Sequence, residues 1–146
     1  MRARAVAAAL AFALANTTFV SAAGTLDYDF FKAKVQPIFL EKRPGHAPCA
    51  MCHAGAENML HLEKLPDGQA TWTEEQTRKN FDTVTKIVQA VDDPLTAKIL
   101  VHPLAPEAGG DAFHSGGRQF ASKNDPDWKL IAAWAKGATL PPAKKQ

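Results

Sequence analysis

The stretch Cys49-Ala50-Met51-Cys52-His53 decides how the rest of this chain is interpreted. Its two thiols lie three positions apart, an imidazole follows at once, and these are the only 2 cysteines among 146 residues. The C-x-x-C-H spacing is the attachment sequence of haem c, because two such thiols can add to the two vinyl groups of one porphyrin. The histidine is then held under the metal, where it binds iron as the proximal ligand. The motif therefore predicts one covalent haem c bound through Cys49, Cys52 and His53.

Two other kinds of site use paired cysteines, a structural zinc site and a redox-active dithiol. Zinc needs four ligands, and the chain has no second cysteine pair. A thioredoxin-type dithiol belongs to a strand-to-helix setting, and no alternating strand pattern appears in this sequence. Haem attachment is the interpretation that fits the motif best.

The first 23 residues have the composition of a secretory signal peptide. Two arginines lie within the first four residues, an apolar run covers residues 5–14, and Ser21-Ala22-Ala23 provides small residues for cleavage. The apolar run is too short to span a bilayer. Residues 1–23 are thus predicted to be removed before Gly24, with an uncleaved N-terminal anchor as the alternative. A periplasmic or exported protein agrees with the haem motif, because bacterial c-type haem is attached outside the cytoplasmic membrane.

The mature chain is predicted to form one domain. Removal of 23 of the 146 residues leaves 123, enough for a single modest core over residues 24–140, and we expect a disordered tail over 141–146. The chain has 17 basic and 15 acidic side chains, and two of the arginines belong to the signal peptide, so the mature protein has 15 of each. This balance gives no reason to expect nucleic acid or an anionic membrane as a partner. We expect no transmembrane segment in the mature chain.

Helical periodicity and capping signals predict an all-α fold. A first helix over about residues 27–42 has an apolar face at i, i+4, i+7 and i+8, and Pro37 should kink or divide it. Thr73 and Gln76 form a capping box that opens a helix reaching about Ala90. Asp-Pro pairs at 93–94 and 125–126 begin two more helices, because Asp caps well and Pro fits the first helical position. The expected apolar contacts of the four helices are Phe31, Val35, Ile38, Phe39, Phe81, Val84, Ile87, Val88, Val91, Leu95, Ile99, Leu100, Trp128, Ile131, Ala132 and Trp134.

Residues 105–122 are rich in glycine and proline, which predicts a long loop. Loops of this length inside compact domains usually carry function. This loop contains one histidine, His114, between two Gly-Gly pairs.

The order of these features resembles the class I cytochrome c fold. That fold has an N-terminal helix, C-x-x-C-H soon after it, middle helices, a loop with the distal ligand and an aromatic-bearing C-terminal helix. Residues 31–39, 102–110 and 125–128 also resemble a subgroup of small bacterial monohaem c-type domains. The resemblance covers nearly all of residues 27–138. It implies a small helical domain wrapped around one haem.

The resemblance also implies that the terminal helices cross near the haem edge. Trp128 or Trp134 would fill that contact.

The distal ligand departs from the common class I pattern, in which it is a methionine. Beyond the signal peptide the methionines are Met51, inside the attachment motif, and Met59, six residues after His53 and expected on the proximal side. A histidine is therefore the distal ligand, or the position is open. His114 follows His53 by 61 residues, close to the class I interval, and its flanking glycines allow the backbone to approach the macrocycle. His102 is the alternative distal ligand.

These features predict an electron-transfer protein more readily than an enzyme. Iron held by two histidines would favour a lower potential than His–Met ligation, because a thioether stabilises ferrous iron. The expected partners are redox proteins, with this protein acting as a free carrier or docked on a membrane-bound respiratory complex. If His114 is only an exposed loop residue and the distal site is open, a small-ligand sensor or peroxidase-like enzyme is the alternative. The sequence shows no acid–base pair for peroxide cleavage, which weakens that alternative.

Overall fold

A computed structural model describes residues 25–141 of this protein. The predicted signal peptide, residues 1–23, and residues 142–146 of the predicted tail lie outside the described residues. Within the described range the regular elements are all helical, and no β-strand forms apart from two isolated bridges between single residues. A mainly helical protein is therefore confirmed for this part of the chain. None of its helices combines the length and the apolarity needed to cross a bilayer.

The N-terminal helix is continuous but changes geometry along its length. It starts as an α-helical turn, α1 (Tyr28–Phe30), widens to a π-helical turn (Phe31–Val35) and tightens to a 3-10 turn (Gln36–Leu40). The Asp27 carboxylate caps its start by accepting from the Phe30 N–H at 2.5 Å. The change coincides with Pro37, which has no N–H and crowds the preceding turn. The predicted distortion at this proline is confirmed.

The C-x-x-C-H stretch forms a short helix of its own, α2 (Cys49–His53). A turn over residues 44–48 delivers the chain to it, and Pro48 directly precedes its first residue. The helix ends because Ala54 is extended and Gly55 has a φ of 68°, a backbone conformation that glycine adopts at little expense.

The longest helix is α3 (Glu74–Gln89), and it begins at the predicted capping box. The Gln76 N–H donates to Thr73 Oγ1 at 3.3 Å, and the Thr73 N–H donates to Gln76 Oε1 at 3.1 Å. The two side chains therefore satisfy two backbone donors at the start of the helix.

Both predicted Asp-Pro starts are confirmed, although the first opens a 3-10 turn (Pro94–Thr96) before α4 (Lys98–Val101) begins. The second opens α5 (Pro126–Ala135), and Asp125 accepts hydrogen bonds from the first backbone N–H groups of that helix. The long loop between α4 and α5 contains one 3-10 turn (Pro106–Ala108).

The first and last helices meet in the core through Phe31 and Trp134, which are both fully buried. Their ring centroids lie 5.3 Å apart, and Phe81 of α3 packs against both rings at 5.4 and 6.1 Å. The Trp134 indole N–H also donates to the Asp27 carbonyl at 2.8 Å. Trp134 is thus the aromatic residue between the terminal helices, whereas Trp128 packs towards α4.

The predicted apolar faces point inwards, but part of the buried surface encloses a cavity. Buried side chains from the N-terminal helix, α3, α4 and α5 all contribute to its wall, namely Ile38, Phe39, Ile87, Ile99 and Ile131. The helices therefore surround a space that their own side chains do not fill.

Candidate cofactor site

The cavity has a volume of about 370 Å³, which is in the range of small-molecule and cofactor sites. Most of its wall is apolar. A few chemically reactive groups converge on it, and they are the residues that the sequence singled out: Cys49, Cys52, His53, His102 and His114. The structure therefore brings together the motif and both candidate distal histidines, although up to 65 positions separate them along the chain.

The two thiols lie at the cavity wall without a disulfide between them, Cys49 half-buried and Cys52 exposed. Burial raises the pKa of the Cys49 thiol above its usual value, and its own backbone hydrogen bond and the charge of Arg43 oppose this only in part. A redox-active dithiol needs a cysteine with a lowered pKa, because the thiolate is the nucleophile. The environment of Cys49 does not favour that chemistry.

His53 is oriented by the segment that follows its helix. This segment folds back, so that the Leu62 N–H donates to the His53 carbonyl at 3.0 Å. The imidazole Nδ1 lies 3.0 Å from the Leu60 carbonyl and 3.1 Å from Asn58 Oδ1. Because a carbonyl can only accept, Nδ1 carries the proton and Nε2 keeps a free lone pair. Met59, in the same segment, lines the cavity and is largely exposed.

His114 is held in the same way, by a backbone carbonyl. Its Nδ1 lies 2.6 Å from the Gly117 carbonyl, so Nδ1 is again the donor and Nε2 is free. Burial lowers the pKa of His114, and this outweighs the Gly117 hydrogen bond. The neutral imidazole is therefore favoured, and only this form can bind a metal. A ligating histidine typically donates its other ring N–H to a carbonyl or carboxylate, as both His53 and His114 do here.

The distance between these two rings allows a test of whether one iron fits between them. The His53 and His114 centroids lie 6.3 Å apart, with 16° between the ring planes. A metal–imidazole bond is about 2 Å long, and the ring centre lies about 1 Å beyond the nitrogen, so two imidazoles on opposite sides of one ion have centroids about 6 Å apart. The observed separation of the centroids meets this requirement, so in distance and in donor type the two histidines fit a bis-histidine haem.

His102 occupies the same side of the cavity as His114 but has different partners. Its ring centroid lies 4.8 Å from that of His114, at an interplanar angle of 61°. Although His102 directly follows the last residue of α4, its Nδ1 lies 2.7 Å from Asp111 Oδ2 and not at a helix carbonyl. The same carboxylate accepts from Lys98 Nζ at 2.8 Å. Both bonds lower the pKa of Asp111, and the bond from Lys98 has the larger effect.

The His102–Asp111 pair is a feature that the sequence did not reveal. The two residues are nine positions apart in the sequence, and their side chains meet only because the loop after α4 turns back on itself. The sequence marks Arg118 only as a candidate partner of a haem propionate or as a surface charge, and its bond to the His102 carbonyl at 3.1 Å was not predicted. The Leu60 and Gly117 carbonyls are backbone groups, so no residue type marks them in a sequence.

The other two histidines are outside the cavity wall. His61 Nδ1 donates to the Ala56 carbonyl at 2.7 Å, and the half-buried His46 lies beside Gly117 of the long loop between α4 and α5.

Within residues 25–141, no group of three or more His, Cys, Asp or Glu side chains is arranged to hold a metal ion. A structural zinc site takes four protein ligands, and the described residues do not offer such a set. Two imidazoles are sufficient only where another molecule supplies the remaining ligands, as the four porphyrin nitrogens do.

Comparisons with known proteins give no relative from which a function could be transferred. No protein-family model matches the chain, and no curated protein or solved structure matches it either. The function is therefore inferred from the residues and the geometry of the cavity.

Proposed function

We propose that this protein is a periplasmic or exported monohaem cytochrome c that transfers single electrons between redox partner proteins. One observation carries this proposal. A single cavity gathers both cysteines of a C-x-x-C-H motif and two histidines, His53 and His114, whose near-parallel rings have centroids 6.3 Å apart. Each of the two histidines donates through Nδ1 to a backbone carbonyl and keeps Nε2 free.

Each of these residues has a defined role in holding haem c. The thiols of Cys49 and Cys52 would each add across one vinyl group, so that a sulfur–carbon bond forms and the thiol proton passes to the other vinyl carbon. His53 would be the proximal iron ligand and His114 the distal one. When bound, the haem supplies the one-electron couple between ferrous and ferric iron.

The protein sets the properties of that couple through its own groups. Hydrogen bonds from both Nδ1 atoms to carbonyls make the imidazoles more basic, and two such ligands favour ferric iron relative to a methionine ligand. The apolar wall, which includes Ile38, Ile99 and Ile131, limits access of water. We propose redox proteins as partners, with a free carrier and a subunit docked on a membrane-bound respiratory complex as the two forms of this role.

One observation favours a second candidate function, a haem protein with an open distal site that senses small ligands or reduces peroxide. The His102–Asp111 pair on the distal side, with Nδ1 2.7 Å from the carboxylate, is a candidate general acid–base pair. This second function requires that His114 does not occupy the distal position. The spin state of the ferric protein separates the two candidates, because a ligand from His114 makes iron low-spin.

The proposal is tested on the protein purified from the exported fraction. The visible spectrum and a pyridine haemochrome assay should report one haem c per chain, and the ferric form should be low-spin without the near-infrared band of methionine ligation. The intact mass should be that of a chain starting at Gly24 with one haem added. A colourless protein would exclude the haem proposal, and a high-spin ferric protein would favour the second candidate.

A further inference from the structure

The segment that carries His114 is poorly supported at its centre. Ala112 and Phe113, directly before the histidine, are exposed, Phe113 to 74%. Within residues 25–141, these two residues take part in a single hydrogen bond. Arg118 Nη2 donates it to the Ala112 carbonyl at 2.6 Å. A segment with so few buried contacts opens easily unless something holds it.

Arg118 ties this segment to the end of α4. While Nη2 donates to Ala112, Nη1 of the same guanidinium donates to the His102 carbonyl at 3.1 Å. The planar guanidinium presents several donors in a fixed fork and can therefore span two acceptors at once. The half-buried Arg118 thus links His102, at the end of α4, to Ala112, two positions before His114.

The two ends of the segment are fixed by other means. The Asp111 N–H donates to the Val101 carbonyl at 2.9 Å, and a Cβ on Gly110 would lie 1.9 Å from the Leu104 carbonyl oxygen. At the far end, Gly117 has a φ of 81° and lies against His46. His114 is joined to this far end, because its Nδ1 donates to the Gly117 carbonyl and its own carbonyl accepts from the Gly117 N–H at 3.0 Å. The part between the two anchored ends is therefore Ala112 and Phe113, and Arg118 is what holds it.

From these contacts we infer that Arg118 is a positioning residue, which keeps His114 in the distal position and thereby sets how readily an external ligand displaces it. This inference rests on the proposed bis-histidine haem. The hydrogen bonds of the Arg118 guanidinium go to the His102 and Ala112 carbonyls, so Arg118 positions His114 through the backbone of the segment.

The inference predicts a change in ligand-exchange kinetics. An external ligand binds only after His114 dissociates, so at high ligand concentration the observed rate approaches the rate of His114 dissociation. Loss of two charge-assisted hydrogen bonds should favour the state in which His114 has left the iron, and should raise this limiting rate roughly tenfold. The variant Arg118→Gln tests this in stopped-flow mixing of the ferric holoprotein with imidazole or cyanide.

Two further variants separate positioning from charge. Lys123→Gln removes a different cation between α4 and α5, one whose ammonium lies 6.0 Å from the Trp128 ring centroid. This variant should exchange ligands at the wild-type rate. Arg118→Lys keeps the charge but cannot span both carbonyls, so most of the increase should persist. A wild-type limiting rate in Arg118→Gln, or an equal increase in Lys123→Gln, would overturn the inference.

The result also remains interpretable if a variant is unstable or the haem proposal fails. Circular dichroism at 222 nm and the haemochrome assay show whether each variant is folded and loaded, and Arg118→Lys provides the reading if Arg118→Gln does not fold. A wild-type protein that lacks haem, or is already high-spin, refutes bis-histidine ligation and this inference with it. A low-spin wild type with unchanged kinetics in the Arg118 variants refutes the inference alone.

Discussion

At the scale of single residues, His102 and His114 lie 4.8 Å apart but should respond differently to substitution. His114→Ala should make the ferric protein high-spin and allow cyanide or carbon monoxide to bind readily, because the distal ligand is lost. His102→Ala should leave the protein low-spin, because His102 is bound to Asp111. That partly exposed contact is worth less than about 1 kcal/mol. Visible and electron paramagnetic resonance spectra report the spin state of each variant.

The opposite pattern would exchange the roles of the two histidines. If His102→Ala became high-spin while His114→Ala stayed low-spin, His102 would be the distal ligand. Unchanged spectra in both variants of a low-spin protein would exclude both residues and with them the proposed ligand set.

The sequence predicted which residues line the site because the attachment motif is local and the interval to His114 suits the fold it resembles. Cys49, Cys52, His53 and His114 do line one cavity. The contacts that orient them could not be predicted in this way. Arg118 and Asp111 act through loop geometry, and the same charges on a different loop path would only face solvent.

At the scale of elements, the N-terminal helix is joined to α3 by a polar cluster around Glu74. Glu74 accepts from the Tyr28 hydroxyl at 2.8 Å and from Lys32 Nζ at 2.6 Å. Desolvation, followed by the bond to Glu74, raises the pKa of Tyr28 to about 12. Tyr28 is the only tyrosine in the chain, so its ionisation can be followed directly by the tyrosinate absorbance near 295 nm.

The raised pKa of Tyr28 makes the stability of the folded protein depend on pH. Between the ordinary value of 10.0 and about 12 the folded protein keeps a proton that the unfolded chain loses. The contribution of Tyr28 to stability is therefore fully present below pH 10 and disappears as the pH rises towards 12. Glu74→Gln should move the pKa of Tyr28 back towards 10.0, whereas Glu75→Gln, which removes an acid bound to Lys79 at 2.9 Å, should not. A midpoint near 10 in the wild type would contradict the contact.

Helix starts were predicted well because a cap is decided within four residues, as at Thr73 and Asp125. Contacts between elements were not predicted from the sequence. Arg43 forms ion pairs with Asp125 and Asp127, more than 80 positions away, and no local pattern shows which distant carboxylates a basic residue meets. The π-helical turn before Pro37 was expected only as an unspecified kink.

At the scale of the whole molecule, the cavity lies among the core side chains, so the fold should depend on what fills it. Without a bound group, the apolar wall formed by core side chains such as Ile38, Ile99 and Ile131 would face water or lose packing partners, and both outcomes destabilise a small domain. The double variant Cys49→Ser/Cys52→Ser should therefore lack covalent haem and lose most of its helical signal at 222 nm.

Met51→Ala is the matched control for this variant. It changes the exposed position of the same motif, where Met51 is 73% accessible, and keeps both thiols, so haem content and helicity should stay at the wild-type level. A compact, helical protein without haem in the double serine variant would show that the helices pack without the cofactor.

The contact between Trp134 and the Asp27 carbonyl, 2.8 Å from the indole nitrogen, has a consequence for how this fold can be combined with others. It brings the beginning and the end of the helical part to one place on the domain. A unit whose entry and exit points are adjacent can be inserted into a surface loop of a larger protein, or be repeated in tandem, without stretching either chain. The same proximity allows circular permutation, in which a short linker joins the two ends and new termini open in an exposed loop.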